Sequence, residues 1–391
     1  MHTLRSLALG ALALGTLAAC DSAMDPATDS DPASGVPPRL VEADGVVGDR
    51  YRPATASFLP GADAASAQAP LAFTAGYQVE APEGTSATHL SLRAGGVTAS
   101  YLEVGVAFGG GIDLIDELDP AASATLVSDY VDLAGVEYVG TDMVVSGSLD
   151  IENEDITGFG SKAVFARLNA LGVPTAAADL SSDFVMDAAF PAGDAFYVVT
   201  GIEGDVYAID KAAFTATSLA QIDDLRSVAV SGDALFALDG DGNVYRHDLA
   251  SPDAFDTDPA ATVGAFGAGT IAKMVADDGK LYVPNGTAGF TVLDAADASV
   301  LGSIDTGAVK SFAFGGGYAF VANADGGVLV AEWGTDDLGE PALLDAGRIL
   351  FEDIDGNAGQ VNHVAVSGST LYAAAGDLGV FSVTFAEADA D

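Results

Sequence analysis

The chain has 391 residues, of which 57 are acidic and 14 are basic, so its formal net charge is −43. Such a charge repels nucleic acid and anionic headgroups, which argues against both as partners. The single cysteine excludes a disulfide framework and a cysteine-based metal site, while the hydrophobic fraction of 49% can fill a large core.

The chain begins with a segment that resembles a secretion signal. Residues 1–19 combine Arg5 with an apolar run, Leu7–Leu17, that is too short to span a membrane. Leu17-Ala18-Ala19-Cys20 resembles the lipobox of bacterial lipoproteins, and this resemblance implies cleavage after Ala19 and lipidation of Cys20. Acidic residues after the cysteine resemble the export tags of surface lipoproteins, although in enteric bacteria an aspartate there favours the inner membrane. We expect anchoring in the cell envelope, with the outer membrane or cell surface favoured.

Residues 20–70 have the composition of a disordered tether. Asp, Pro, Ser and Ala dominate, most purely in Asp21–Pro38, and such a segment cannot bury enough apolar surface to offset the entropy lost on ordering. Leu71–Val79 is the first convincing strand. We therefore place the folded domain at residues 71–386 and a short tail at residues 387–391.

A hairpin unit repeats through the folded domain. Its clearest copy has strands at Lys280–Pro284 and Gly289–Asp294 with a turn at residues 285–288. One position of each copy is marked by these residues: Val104, Val144, Tyr197, Phe236, Tyr282, Phe320 and Tyr372. A period of about 40–50 residues with three or four strands is typical of a β-propeller. We predict an all-β fold with seven blades; a solenoid, the alternative, would need capping repeats.

The last repeat lacks a fourth strand, because only a short acidic tail follows Phe385. A blade left open there would expose a strand edge. We predict that a strand from Leu71–Glu80 completes the last blade and closes the ring, with Leu40–Val47 as the alternative.

Three copies of the third strand share a short motif: Ile112–Asp116, Val206–Asp210 and Phe290–Asp294. Each follows a glycine-containing turn, and together they resemble the LVIVD-repeat family of bacterial β-propellers. The resemblance covers roughly residues 87–385. It implies the propeller fold and an extracytoplasmic location, and it carries no activity.

Polar turns between second and third strands are predicted to crowd one face of the propeller. They carry Glu203, Asp205, Asp239, Asp241, Asn285, Asp325 and Asp377. Asp239, Asp241 and Asn243 begin like a calcium loop, but Val244 stands where an EF-hand needs glycine. They are weak Ca²⁺ candidates, since turn geometry alone also explains Asp and Asn there.

The innermost strands are predicted to line a central channel. Alignment places these residues at one level near its mouth: His89, Val136, Asp187, Ser227, Ala272, Ser311 and His363. Arg226, Lys310 and Asn362 each precede one of them. The two histidines, on neighbouring blades of a closed ring, suggest metal binding or acid–base chemistry, but no third ligand is evident. The candidate ligand-binding residues are His89, Asp187, Arg226, Ser227, Lys310, Ser311, Asn362 and His363.

The sequence contains no G-x-S-x-G, H-E-x-x-H or phosphate-loop motif. We expect a monomeric, non-catalytic protein-binding or scaffold module whose partner is an envelope protein or a glycan. The insertion Leu149–Ser161 is a candidate contact surface. Two alternatives remain: a surface protein that binds carbohydrate or cations, and a hydrolase or lyase with its site at the channel mouth.

Overall fold

The computed structural model shows seven antiparallel sheets, which confirms the predicted all-β, seven-bladed propeller. It describes residues 40–43, 47–61, 63, 71–104, 109–117, 119, 123–150, 161–201, 204–251, 254–267, 270–324, 326–335, 341–352 and 359–387. Within these ranges no helix is long and apolar enough to cross a membrane.

Each blade is built from the innermost strand outwards in chain order. Blade 1 contains β5 Thr85–Arg93, β6 Gly96–Glu103, β7 Gly110–Asp116 and β8 Ala124–Ser128. Blade 2 contains β9 Val131–Val139, β10 Asp142–Asp150, β11 Ser161–Leu168 and β12 Pro174–Ala177. Blade 3 contains β13 Val185–Ala189, β14 Ala195–Thr200, β15 Asp205–Asp210 and β16 Ala216–Gln221. Blades 4 and 5 contain β17 Leu225–Ser231, β18 Ala234–Asp239, β19 Asn243–Asp248 and β20 Ala261–Thr262; and β21 Val275–Asp277, β22 Lys280–Pro284, β23 Phe290–Asp294 and β24 Val300–Ile304.

The last two blades also recruit strands from the N-terminal segment. Blade 6 contains β25 Val309–Gly315, β26 Tyr318–Asn323, β27 Val328–Thr335 and β28 Pro341–Phe351, followed by β3 Ala56–Pro60. Blade 7 contains β29 His363–Ser367, β30 Thr370–Ala374 and β31 Val380–Glu387, followed by β4 Leu71–Val79 and β2 Tyr51–Pro53.

The strand predicted to close the ring does so. β4 runs antiparallel to β31, from the pair Val79–Val380 to the pair Leu71–Glu387. Gly379 begins this crossing with a φ of 90°, and a Cβ there would lie 2.0 Å from the carbonyl oxygen of Val79. Only glycine fits such a position. Because its outer edge is covered, the last blade is as complete as the others.

A rim segment, residues 40–43 and 47–61, lies along three consecutive blades. β1, Val41–Glu42, pairs with β8 of blade 1, while β2 and β3 lie outermost in blades 7 and 6. The described part of this segment, which lies within the tether predicted over residues 20–70, is therefore ordered against the blades. Of the alternative closing strand Leu40–Val47, the residues Val41 and Glu42 pair in blade 1. Leu40 and Val47 are exposed by only 1% and 0%, so this segment buries apolar side chains although its overall composition is that of a disordered tether.

The marker Val104 is out of register with the other six. β6 ends at Glu103, and Gly96 pairs with Asp116 as Ala234 pairs with Asp248 in blade 4. Thr98 is therefore the residue equivalent to Phe236. Val104 lies in a loop and is 64% exposed. The alternating apolar residues after Tyr101 predicted a strand that continues through Val104, whereas β6 ends at Glu103.

The core is divided into seven apolar clusters, one at each seam between neighbouring blades. The seam between blades 7 and 1 is packed like the rest, with Tyr101, Tyr372 and Val380 buried in it. Innermost strands of neighbouring blades contact each other around the ring, including β29 with β5. Closure therefore rests on side-chain packing as well as on strand pairing.

Candidate functional site

A repeated hydrogen bond identifies the residues that share one level of the channel. Ser227 Oγ accepts from the backbone N–H of Met274 at 2.8 Å, and Ser311 Oγ accepts from that of Val364 at 3.2 Å. Asp187 Oδ2 likewise accepts from the N–H of Val228 at 3.3 Å. In each case the N–H donor belongs to the residue that comes directly after the one at this level of the channel in the next blade. The structure thus brings Asp187, Ser227, Ser311 and His363 to one level.

His89 continues this level, because the N–H of Leu90, the residue after it, donates to His363 Nδ1 at 3.3 Å. The same rule corrects the position predicted in blade 5. Lys273 precedes Met274, so Lys273 occupies the level in blade 5, and Ala272 is completely buried in the seam. A one-residue slip reverses every side chain of a strand, and β21 is too short for its alternation to settle the register.

Gly135, and not Val136, occupies the level in blade 2. Val144 pairs with Glu137 as Phe236 pairs with Ala229, so Gly135 is equivalent to Ser227, and a Cβ on Gly135 would lie 4.0 Å from His89 Cγ. Val136 is exposed by only 1%. We define the channel ring as His89, Gly135, Asp187, Ser227, Lys273, Ser311 and His363. Glu137 lies two residues beyond the ring, beside Ser91, whose Oγ accepts from the N–H of Tyr138 at 3.2 Å. Sequence alignment missed Lys273 and Glu137; the signal that could have found them is a charged residue inside an otherwise apolar strand.

Lys273 crosses the channel to form a buried ion pair with Asp187. Lys273 Nζ of blade 5 lies 3.3 Å from Asp187 Oδ1 of blade 3, so the ion pair joins two blades that are not neighbours. Lys273 and Asp187 are 8% and 5% exposed. Ser227 Oγ donates to the other carboxylate oxygen at 2.6 Å. Both oxygens of Asp187 are therefore engaged by neighbours within the protein.

The two histidines of the channel ring face each other, with ring centroids 3.9 Å apart. Burial lowers the pKa of both well below the usual 6.5, and the neighbouring His363 and Lys273 lower the pKa of His89 further. Both rings are therefore neutral at pH 7. Among the described residues no group of three or more His, Cys, Asp or Glu side chains could hold a metal ion.

Glu137, next to the channel ring, is a carboxyl that titrates near neutrality. Burial raises its pKa to about 7, although a hydrogen bond from Ser91 and the charge of Lys273 act in the opposite direction. A half-buried carboxyl with this pKa can gain or lose a proton at physiological pH. A carboxyl able to exchange a proton near neutrality therefore lies within the field of the Lys273 charge.

The residues that precede the ring level divide into two groups. Lys310 Nζ donates to Asn362 Oδ1 at 2.5 Å, and Asn362 Nδ2 donates to the carbonyl oxygen of Ala87 at 2.7 Å. Burial lowers the pKa of Lys310. Arg226 instead pairs with Asp224 of its own blade at 2.7 Å. Lys310 and Asn362 therefore form one cluster between blades 6 and 7, and Arg226 lies apart from it.

The calcium candidates form the turn of their own hairpin. Asp239 accepts hydrogen bonds from the N–H and the side-chain amide of Asn243 and from the hydroxyl of Tyr245, at 2.8, 2.9 and 2.7 Å. Asp241 is an exposed turn residue. Four predicted positions lie outside the described residues: Cys20, Glu203, Asp325 and the insertion residues 151–160.

Charge is segregated between the interior and the surface. Cationic side chains are bonded within the protein, as in the pairs Arg50–Asp113 and Lys273–Asp187 and the bonds of Lys310 to Asn362 and of Arg348 to Thr306. Exposed carboxylates surround the face where the innermost strands begin. We call these residues the acidic face: Glu83, Asp183, Asp223, Asp241, Asp305 and Asp377.

Comparisons with known proteins are informative about the fold alone. No protein-family model and no curated protein matches the chain. Among the similar solved structures is the crystal structure of the computationally designed Ika8 protein, with a TM-score of 0.49 and 11% identity, covering 77% of this chain and 97% of that chain. The chain is a seven-bladed β-propeller. The fold by itself specifies no ligand.

Proposed function

We propose that the protein is a binding module of the cell envelope, anchored through a lipid on Cys20, that docks a protein partner with a basic surface. One observation carries the proposal: among the described residues every lysine and arginine except Arg52 is buried or half-buried, while the carboxylates of the acidic face are exposed. A surface of one sign steers an oppositely charged partner into encounter.

The arrangement of the loops supports this role. The acidic face consists of turns and connections held by seven packed blades, and binding residues are commonly placed on loops of a rigid scaffold. The channel ring is assigned a structural role, because its buried polar groups bond one another across the blades, as Asp187 does with Ser227 and Lys273. No residue is assigned a catalytic role.

The proposal is tested by crosslinking the tagged full-length protein in its own membrane and capturing it after solubilisation. We expect one envelope protein with a basic surface to be recovered in 0.1 M salt and lost in 1 M salt, where the Debye length is about 3 Å. Recovery that salt does not change, or no specific recovery, would contradict the proposal.

The anchor is tested separately by metabolic labelling with a fatty-acid analogue. We expect the wild-type protein to carry the label and to fractionate with membranes. The variant Cys20→Ser should be unlabelled and recovered in the soluble fraction. Equal labelling of both proteins would refute lipidation at this residue.

A further inference from the structure

The seam between blades 5 and 6 carries a large aromatic side chain that follows the usual end of the third strand. In blades 1, 3, 4 and 5 the third strand ends at an acidic residue, as β15 does at Asp210 and β23 at Asp294. β27 of blade 6 continues beyond the equivalent Glu332 and pairs onward with β28. The extension places Trp333, the only tryptophan in the chain, at the seam.

Trp333 is held in a fixed position by its neighbours. Its indole N–H donates to the hydroxyl of Tyr282 at 3.1 Å, and the Tyr282 ring lies 4.6 Å from that of Phe314. Gly302 packs against the far edge of the indole, where a Cβ would lie 3.4 Å from Trp333 Cη2. These contacts order the indole without a ligand, which lowers the entropy cost of stacking a ligand on it.

These rings line a pocket of about 230 Å³ whose rim is charged. Asp277, Asp278 and Lys280 form the rim, with Lys280 Nζ 3.6 Å from Asp278 and 5.9 Å from the centre of the Trp333 ring. The rim therefore offers hydrogen-bond donors and acceptors side by side. The neighbouring seam between blades 4 and 5 has a depression lined by Gly232, Ala234 and Ala295 without an aromatic ring, so the pocket is not a general product of the repeat.

We propose that this pocket binds one hexopyranose ring, with the apolar face of the sugar on Trp333 and its hydroxyls bonded to Lys280 and the adjacent carboxylates. Hydroxyl groups both donate and accept, which matches the mixed rim. An organic cation is disfavoured because the Lys280 ammonium, 5.9 Å from the centre of the indole ring, repels a second positive charge there. The volume is below the roughly 300 Å³ of typical small-molecule sites, which suits one ring and not an oligosaccharide.

The affinity expected is modest. A hexose has about 12 non-hydrogen atoms, and about 0.3 kcal/mol per atom gives a Kd on the order of 1 mM. Because Trp333 is the only tryptophan, intrinsic fluorescence reports on the pocket directly. The proposal does not depend on a protein partner or on the lipid anchor, so it can succeed or fail independently of the proposed function.

The test is a fluorescence titration of the purified full chain with glucose, galactose, mannose, N-acetylglucosamine and their methyl glycosides. We expect a saturable change with at least one sugar. Loss of one charge-assisted hydrogen bond in Asp278→Asn should weaken its binding about tenfold. Asp233→Asn, in the exposed turn of blade 4, is the matched control and should bind as the wild type does. A methyl glycoside that binds as well as the free sugar identifies the end of a glycan chain as the source, and exclusive binding of the free sugar identifies a free monosaccharide.

Three results would overturn the proposal. The first is that no sugar produces a saturable change although acrylamide quenches Trp333. The second is saturation by tetramethylammonium instead of a sugar. The third is equal weakening by Asp278→Asn and Asp233→Asn, which would place binding elsewhere. Calorimetry on Trp333→Ala, with its fold checked by circular dichroism, should show no binding.

Discussion

Arg50 of the rim segment and Asp113 of blade 1 form an ion pair of 2.6 Å in which the carboxylate side chain is completely buried. Asp113 also accepts hydrogen bonds from the hydroxyls of Tyr101 and Thr125, both at 2.7 Å. Arg50 reaches it from outside the repeats and also bonds the carbonyl oxygen of Glu80. The pair therefore joins the N-terminal segment to both blades at the seam where the ring closes.

Removal of Arg50 should destabilise the propeller strongly. Arg50→Met leaves Asp113 buried without its cation, and breaking a buried pair in this way typically costs about 3–5 kcal/mol. Denaturant unfolding followed by circular dichroism measures the change. The control is Arg52→Met, because Arg52 pairs with Glu80 at the surface and such pairs contribute about 0–1 kcal/mol. Equal effects of the two substitutions would contradict the role given to Arg50.

The ion pair across the channel should behave as one unit. Lys273→Met leaves Asp187 without its cation, and we expect a loss of about 3–5 kcal/mol. The double variant Lys273→Met/Asp187→Asn removes both charges and should recover a large part of that loss. Urea unfolding of the wild type, both single variants and the double variant completes the cycle; additive effects would show that the two charges are not coupled.

Glu137 should make stability depend on pH between about pH 4.5 and pH 7. Because its pKa is raised from 4.5 to about 7, the folded state holds a proton in this window that the unfolded state releases. The stabilisation is complete below pH 4.5 and is lost as the pH rises through 7. Its upper limit is about 3 kcal/mol.

Glu137→Gln serves to isolate this contribution. We expect the free energy of unfolding of the wild type, measured by urea unfolding from pH 4.5 to pH 8, to decrease relative to that of the variant as the pH rises. The histidines act in the opposite direction, since their lowered pKa values remove stability as the pH falls below 6.5. Because both histidines are present in the wild type and in the variant, their contribution largely cancels from the difference in unfolding free energy. A difference that is flat with pH would rule out a raised pKa for Glu137.

Truncation should separate the closing strand from the rim segment. A variant that begins at Leu40 should fold as the full chain does, and one that begins at Leu71 should fold with lower stability because it lacks Arg50. A variant that begins at Ala81 lacks β4 and exposes the edge of β31, so it should aggregate. Thermal unfolding with light scattering distinguishes these outcomes; a cooperative, soluble Ala81 variant would show that β4 is dispensable.

The blades and the closing strand could be predicted because periodic hairpins and an unpaired edge are visible in the sequence. The rim segment could not, since its strands have two to five residues and pair by backbone along existing blades. Lys273 and Gly135 were missed because a one-residue shift in an inner strand leaves the sequence pattern plausible. Trp333 gave no signal because its role depends on Tyr282 and Phe314, which adjacent strands bring to the same seam.

The most direct test of the proposed binding role compares partner capture by two variants with unchanged unfolding midpoints. One replaces Asp223, Asp241, Asp305 and Asp377 by Asn, and the other is His363→Gln, which keeps a hydrogen-bond acceptor in the channel. We predict that the first variant captures about tenfold less partner in 0.1 M salt and that the second captures as much as the wild type. Loss of capture by His363→Gln alone would place the binding site in the channel and contradict the role of the acidic face.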